Sequence, residues 1–220
     1  MKIINILQKI LREQTVEPEK IDITAPASST YVATQGEPKI GLELSDKTSK
    51  PTGVSDKLVE FVKKEEYFVP CVYDDANGTP CIKKDWKKCC LKGRTPSGIA
   101  TIGYGTVYRP DGSKVKPSDK DITVEIATEY LKSTLDSIAK KLLLKYPNLT
   151  QQQLDGLSSL CYNVGFAGCT SKAPNLSAAI KKDPNSKTNP NIEPNFLDFT
   201  NTKRRTSEFS IYDDGNYQIV

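Results

Sequence analysis

Apolar and polar positions first settle into a sustained helical period at residue 55. In SDKLVEFVKKEEYF, Leu58, Phe61 and Val62 share one face, and positions 65 and 66 prolong that stripe at i+7 and i+8 from Leu58. Ser55 is a good N-cap, Asp56 lies in the first turn, and Val54 is placed to staple against Val59. The stripe directs at least one of Glu65 and Glu66 toward the apolar side at the helix end, where partial desolvation favours the protonated form a general acid needs. The period then shortens. CVYDDANG alternates and ends in Asn-Gly, the pattern of a strand running into a tight turn. IATIGYGTVYRPDGSKV predicts a second strand and a Pro-Asp-Gly turn into a third.

The helical period returns after residue 123. Thr123 caps VEIATEYLKSTLDSIAKKLL, and Thr150 with Gln153 makes a capping box ahead of LDGLSSLCYN. Shorter helices are expected around Leu176 to Lys182 and Thr202 to Tyr212. The predicted class is α+β, mainly helical, with a small antiparallel β-sheet after the first helix of the domain.

Before residue 55 the patterning is different. In KIINILQKILRE, Ile3, Leu7, Ile10 and Leu11 fall on one helical face. The segment is too short, and too interrupted by Gln8 and Lys9, to span a membrane, and it lacks a small-residue cleavage site, so no signal peptide is expected. The Pro-, Ser-, Thr- and Glu-rich run that follows reads as a linker or extended arm. Two regions result: an arm over 1–54, and a body over 55–220 with a cysteine-containing insertion at about 79–100.

Composition narrows the chemistry. The chain of 220 residues contains no histidine, which excludes Ser-His-Asp and Cys-His hydrolase sites and the usual His-bearing zinc hydrolases. Proton transfer near neutral pH then falls to carboxylates, and EEYFVPCVYDD at 65–75 supplies two acidic pairs. The net charge of +4 is too small to suggest a nucleic-acid partner, though it suits an anionic polymer such as a bacterial cell wall. Six cysteines, Cys71, Cys81, Cys89, Cys90, Cys161 and Cys169, lie in the body. Disulfides stapling the insertion are the first reading, with reduced buried cysteines and a zinc site as the alternatives.

The order of Glu66 at a helix end, Tyr73 seven residues on, Asp75 nine residues on, and Thr101 opening TIGYG resembles the phage-type lysozymes, glycoside hydrolase family 24. CYNVGFAGCTSKAPNL is similar to that family's FNVG segment, and KRRTSEFSIYDDGNY to its C-terminal RRxxE region. Glu65 and Asp74 fall out of this register. Two departures stand out: the insertion TPCIKKDWKKCCLKGRTPSGIA, and Thr106 where the family's motif ends in histidine. Neither Arg204 nor Arg205 can be matched to the arginine that supports the glutamate in some relatives.

The resemblance implies a lysozyme-like fold and hydrolysis, with inversion, of the β-1,4 bond between N-acetylmuramic acid and N-acetylglucosamine in peptidoglycan. Splitting an acetal requires a neutral acid beside the leaving oxygen and an ionised carboxylate near the anomeric carbon. Glu66 is the expected acid. Asp75 is expected to orient a water or stabilise the cationic transition state, and Thr101 to hold that water. Asn163 is expected to bind a sugar and Tyr73 to shape the cleft, against the plainer readings of a helix-end amide and a core aromatic. No cofactor or metal is expected. The expected placement is a phage virion tail or the host envelope, with residues 1–54 contacting tail or baseplate proteins. A free endolysin and an inactive wall-binding virion module are the alternatives.

Overall fold

The computed structural model describes residues 50–77 and 85–220; the amphipathic start and most of the arm fall outside the described residues. Ser55 caps helix α1 (Asp56–Glu65) by accepting from Leu58 N through its side chain. The helix ends at Glu66, whose extended backbone turns the chain into strand β1 (Val69–Asp74). A 3-10 turn at Asp75–Asn77 follows the strand. Residues 85–89 are helical, and strand β2 (Ala100–Gly103) then pairs with β1 in antiparallel register, Tyr73 opposite Thr101.

The third strand expected after the Pro-Asp-Gly turn does not form: among the described residues the sheet has two strands, and residues 106–115 contribute only isolated bridges. Gly103 and Gly105 adopt φ of +67° and +94° and turn the chain out of the ladder just after β2. A Cβ at Gly103 would stand 3.0 Å from Ala127 Cβ, so the end of β2 reaches the next helix this closely because the residue is glycine.

The remainder is helical: α2 (Val124–Lys145), α3 (Gln151–Val164), a single turn α4 (Phe166–Cys169), α5 (Pro174–Lys182), α6 (Ile192–Leu197) and α7 (Thr202–Asp214). Thr123 caps α2 and the Thr150–Gln153 capping box starts α3, as the pattern predicts. The α2 stripe of Ala127, Leu131, Leu135 and Ala139 packs with Leu58, Phe61 and Val62 of α1 and Leu154, Leu157 and Leu160 of α3 in one core.

Two polar clamps hold this core in register. Asp155 on α3 is fully buried and accepts from Ser55 N (3.1 Å), Ser55 Oγ (2.5 Å), Gln151 Nε2 (3.0 Å) and the Tyr217 hydroxyl (2.6 Å), joining the start of α1 to the C-terminal segment. Gly53 O and Val54 N are bonded to Gln151 and Asp136, so the chain just ahead of α1 is also fixed. At Gly156 a Cβ would stand 2.8 Å from Glu208 O and from Tyr212 Cβ; the glycine is what lets α3 and α7 approach this closely.

Cysteines close the remaining gaps. Cys71 on β1 is disulfide-bonded to Cys90, and Cys161 to Cys169, with Cα separations of 5.6 and 5.1 Å. Cys89 is disulfide-bonded as well, and no described cysteine is free. Cys81 lies outside the described residues. The disulfide reading therefore holds where it can be seen, and the first bridge ties the insertion to the sheet.

Candidate active site

The sheet and the end of α1 bring the predicted acids toward one phenol. Tyr73 is buried, and its cross-strand partner Thr101, also buried, lies on the same face of the two-stranded ladder. Burial pushes the Tyr73 hydroxyl well above the ordinary phenol range, and the negative charges of Glu66 and Asp75 push it further. Its proton therefore stays on, and the phenol remains a hydrogen-bond donor.

Glu66, expected at the apolar side of the helix end, meets a charged partner there. As the C-cap of α1 it has left helical geometry, and its Oε1 accepts from Arg204 Nη1 at 2.6 Å, with 25% of the Glu66 side chain and 4% of the Arg204 side chain exposed. Arg204 also donates through Nε to Glu208 Oε1 at 2.9 Å. Burial works against the charge on Arg204, but Glu66 and Glu208 outweigh it and hold the guanidinium above its ordinary range.

Arg205 points elsewhere. It pairs with Glu208 Oε2 at 3.0 Å and donates to Asn163 Oδ1 at 2.9 Å. Both arginines lie within one turn of Glu208, and sequence spacing cannot rank i+3 against i+4. The structure decides for Arg204 as the partner of Glu66. Glu208 itself is fully buried; burial pushes its carboxyl up, opposed by the pull of Arg205 and Arg204, and Ser159 Oγ donates to it at 2.7 Å. Glu208 escaped the sequence reading, although the RRxxE spacing that carries it was visible.

Asp75 is exposed at the start of the 3-10 turn, and its Oδ1 accepts from Ile99 N at 2.6 Å. The neighbouring Asp74 does a different job: it accepts from Ser97 N (2.7 Å), Gly98 N (2.9 Å) and Ala76 N (3.2 Å). Those bonds, led by that from Ser97, hold its carboxyl below the usual range. Asp74 is thus occupied with backbone, and Asp75 keeps an oxygen free for chemistry. Thr101 Oγ1 donates to Ile99 O at 3.1 Å, leaving its lone pairs to accept. Asn163, near the end of α3, is exposed, and with its amide oxygen held by Arg205 its NH2 is left as the donor.

Behind these groups stands Tyr162, whose hydroxyl donates to Tyr104 O at 2.7 Å. Burial raises this phenol, and the charge of Glu66 raises it further. Thr106, in the position where the family motif has histidine, is buried close to Tyr162. No imidazole is needed to close the TIGYG segment onto α3, because the Tyr162 hydroxyl does so.

A phage lysozyme family model matches residues 85–202, more than half of the 220 residues. The chain belongs to the phage lysozyme family. Glu66, Tyr73 and Asp75 precede the matched span, while Thr101 and Asn163 lie within it. Among solved structures, the fold is similar to the endolysin from Escherichia coli O157:H7 phage FAHEc1, at 23% identity and a TM-score of 0.53, covering 75% of this chain and 96% of that one. It is similar also to a mutant of P22 lysozyme (22%, TM-score 0.52, 73% and 97% covered) and to the muramidase domain of SpmX from Asticaccaulis excentricus (19%, 0.51, 74% and 98%). A comparison with curated protein sequences finds no match. At these identities the neighbours establish the lysozyme-like fold of the family. None of the helices among the described residues is long and apolar enough to cross a membrane.

Proposed function

We propose that the chain is a peptidoglycan hydrolase, a muramidase that cleaves the β-1,4 bond between N-acetylmuramic acid and N-acetylglucosamine with inversion. The observation that carries this reading is the Tyr73 phenol, on which Glu66 and Asp75 both bear and whose strand partner is Thr101. Arg204 holds Glu66 by Oε1, leaving Oε2 to carry a proton to the glycosidic oxygen. As that C–O bond breaks, positive charge grows at the anomeric carbon. A water between Asp75 and the opposite face of the sugar gives its proton to the Asp75 carboxylate and attacks the carbon. Thr101 orients the water by accepting a hydrogen bond from its second O–H, which stays on as the product hydroxyl, and the Asn163 NH2 donates to a sugar oxygen. At the end Glu66 is ionised and Asp75 protonated, and solvent resets both.

Turbidity clearing of purified peptidoglycan tests the assignment. Glu66→Gln keeps the side-chain shape and cannot donate the proton, so activity should vanish while Glu65→Gln remains active; equal losses in the two would overturn it. Proton NMR should show the α-anomer as the first product. An initial β-anomer, or a glycosyl group trapped on Asp75, would remove the water-activating role.

The same reading includes carriage on the phage particle through residues 1–54. It is supported by the sequence pattern that puts Ile3, Leu7, Ile10 and Leu11 on one helical face and by the linker composition that follows. Deleting residues 1–52 should leave specific activity within a few-fold and remove the enzyme from purified particles. Full-length protein found only free in lysates would make it a soluble endolysin.

A further inference from the structure

The insertion builds a second recognition feature beside the acids. Residues 85–99 are tied to β1 by the Cys71–Cys90 disulfide, by the bond from Leu91 N to Val72 O at 2.7 Å, and by the amides that reach Asp74 and Asp75. Between this segment and Asp74 lies an open cavity of about 280 Å³ whose lining includes Lys88, Arg94, Thr95 and Ser97.

Its charge is unbalanced. Arg94 donates through Nε to Leu91 O at 3.0 Å and through Nη2 to Cys90 O at 2.8 Å, so its planar fork is fixed in place by carbonyls that do not neutralise it. Among the described residues no carboxylate pairs with it. Lys88 is 3.4 Å from Asp85, the lysine largely exposed and the aspartate partly so, a contact that leaves its charge available. Asp74 also lines the cavity as a carboxylate, its oxygens accepting from three backbone amides, so two cations face one anion. A fixed guanidinium, an ammonium and the Thr95 hydroxyl around one space outweigh the single Asp74 carboxylate and make a receptor for a carboxylate.

We propose that this cavity binds a carboxylate on the peptide stem of the glycan substrate, making the insertion a specificity element for stem-bearing strands. The inference rests on the muramidase reading. In such a substrate the sugars are neutral and the stem carries the anionic groups. Asp74, at the cavity wall, is the chain neighbour of Asp75, so a stem on the muramyl residue being cut starts within reach.

The test compares kcat/KM on soluble glycan strands carrying peptide stems with that on the same strands after the stems are removed and the lactyl carboxylates so exposed are amidated. Wild type should favour the stem-bearing strands, and Arg94→Gln should reduce that preference about 3- to 10-fold, chiefly through KM, the range between an exposed ion pair and a charged hydrogen bond. Because Arg94 also braces its own loop, Lys88→Gln, which breaks no backbone bond, provides the second variant and should shift the preference in the same direction. In a second arm, calorimetry measures binding of an N-acetylmuramyl peptide to the Glu66→Gln protein; amidating the stem carboxylates should weaken it. An unchanged preference in both variants, or equal binding of free and amidated stems, overturns the proposal. If wild type cuts neither strand while the stem peptide still binds in a carboxylate-dependent way, the muramidase reading fails and the carboxylate site stands.

Discussion

Replacing Gly98 with alanine offers a narrow probe of Asp75, because it removes no titrating group and its tightest clash is with the Asp75 carboxylate. Gly98 is not among the glycines with positive φ, so its backbone tolerates a side chain. Its Cβ, however, would stand 2.3 Å from Asp75 Oδ1, 2.9 Å from Ala76 Cβ and 3.0 Å from Ala76 N. Ordinary contact begins near about 3.5 Å, so the carboxylate must retreat by about 1 Å and give up its bond from Ile99 N. A displacement of about 1 Å in a reacting group can cost about 100-fold in rate, and that is the loss expected in kcat. Stability should change much less. Overpacking costs about 1–3 kcal/mol, offset by about 0.4–1 kcal/mol from the stiffer unfolded chain. At about 2–4 °C per kcal/mol for a body of this size, Tm should fall by less than about 10 °C. Steady-state hydrolysis of soluble glycan strands, with thermal unfolding followed by circular dichroism, reads both quantities. A kcat within about threefold of wild type would show that catalysis does not depend on where this carboxylate stands, and the water-activating role of Asp75 would fall.

Arg204→Met should release Glu66 and leave Glu208 with only Arg205 and Ser159; breaking such a buried pair costs about 3–5 kcal/mol, and hydrolysis should drop more than stability alone explains at a temperature where the variant is folded. Asp155→Ala should deprive the half-buried donors of Ser55, Gln151 and Tyr217 of their acceptor and lower Tm by about 2–12 °C, from about 1–3 kcal/mol at about 2–4 °C per kcal/mol, with little effect on kcat in the folded protein. Asp74 has a depressed carboxyl in the folded state, so its contribution to stability is fully present above the unfolded value of about 3.9 and is lost as pH falls from there through the folded value. Amide exchange at Ser97 and Gly98 should accelerate, relative to the rest of the sheet, over that acid range; an Asp74→Asn protein should lack this acid-specific change.

Local signals carried much of the fold. Ser55, Thr123 and the Thr150–Gln153 box mark helix starts because capping is decided by side chains within three residues of the end, and the core faces of α1 and α2 follow from period alone. The absence of histidine and the spacing of Glu66, Tyr73, Asp75 and Thr101 pointed to carboxylate chemistry on a lysozyme-like frame before any contact was known. What sequence could not rank were choices between neighbours that meet distant partners. Arg204 and Arg205 both suit Glu208 in local spacing, yet only the rotation of α7 against α1 sends Arg204 to Glu66 and Arg205 to Asn163. The same holds for the environment of Glu66: the helical stripe carries no sign of Arg204, because the helix stops one residue earlier and a residue 138 positions away supplies the charge that meets the carboxylate. The third strand failed because Gly103 and Gly105 turn the chain toward α2, and that close approach exists only once the helix is packed. Periodicity and capping are short-range and therefore legible in the chain; pairing across the core depends on how helices settle against one another, which only the folded structure determines.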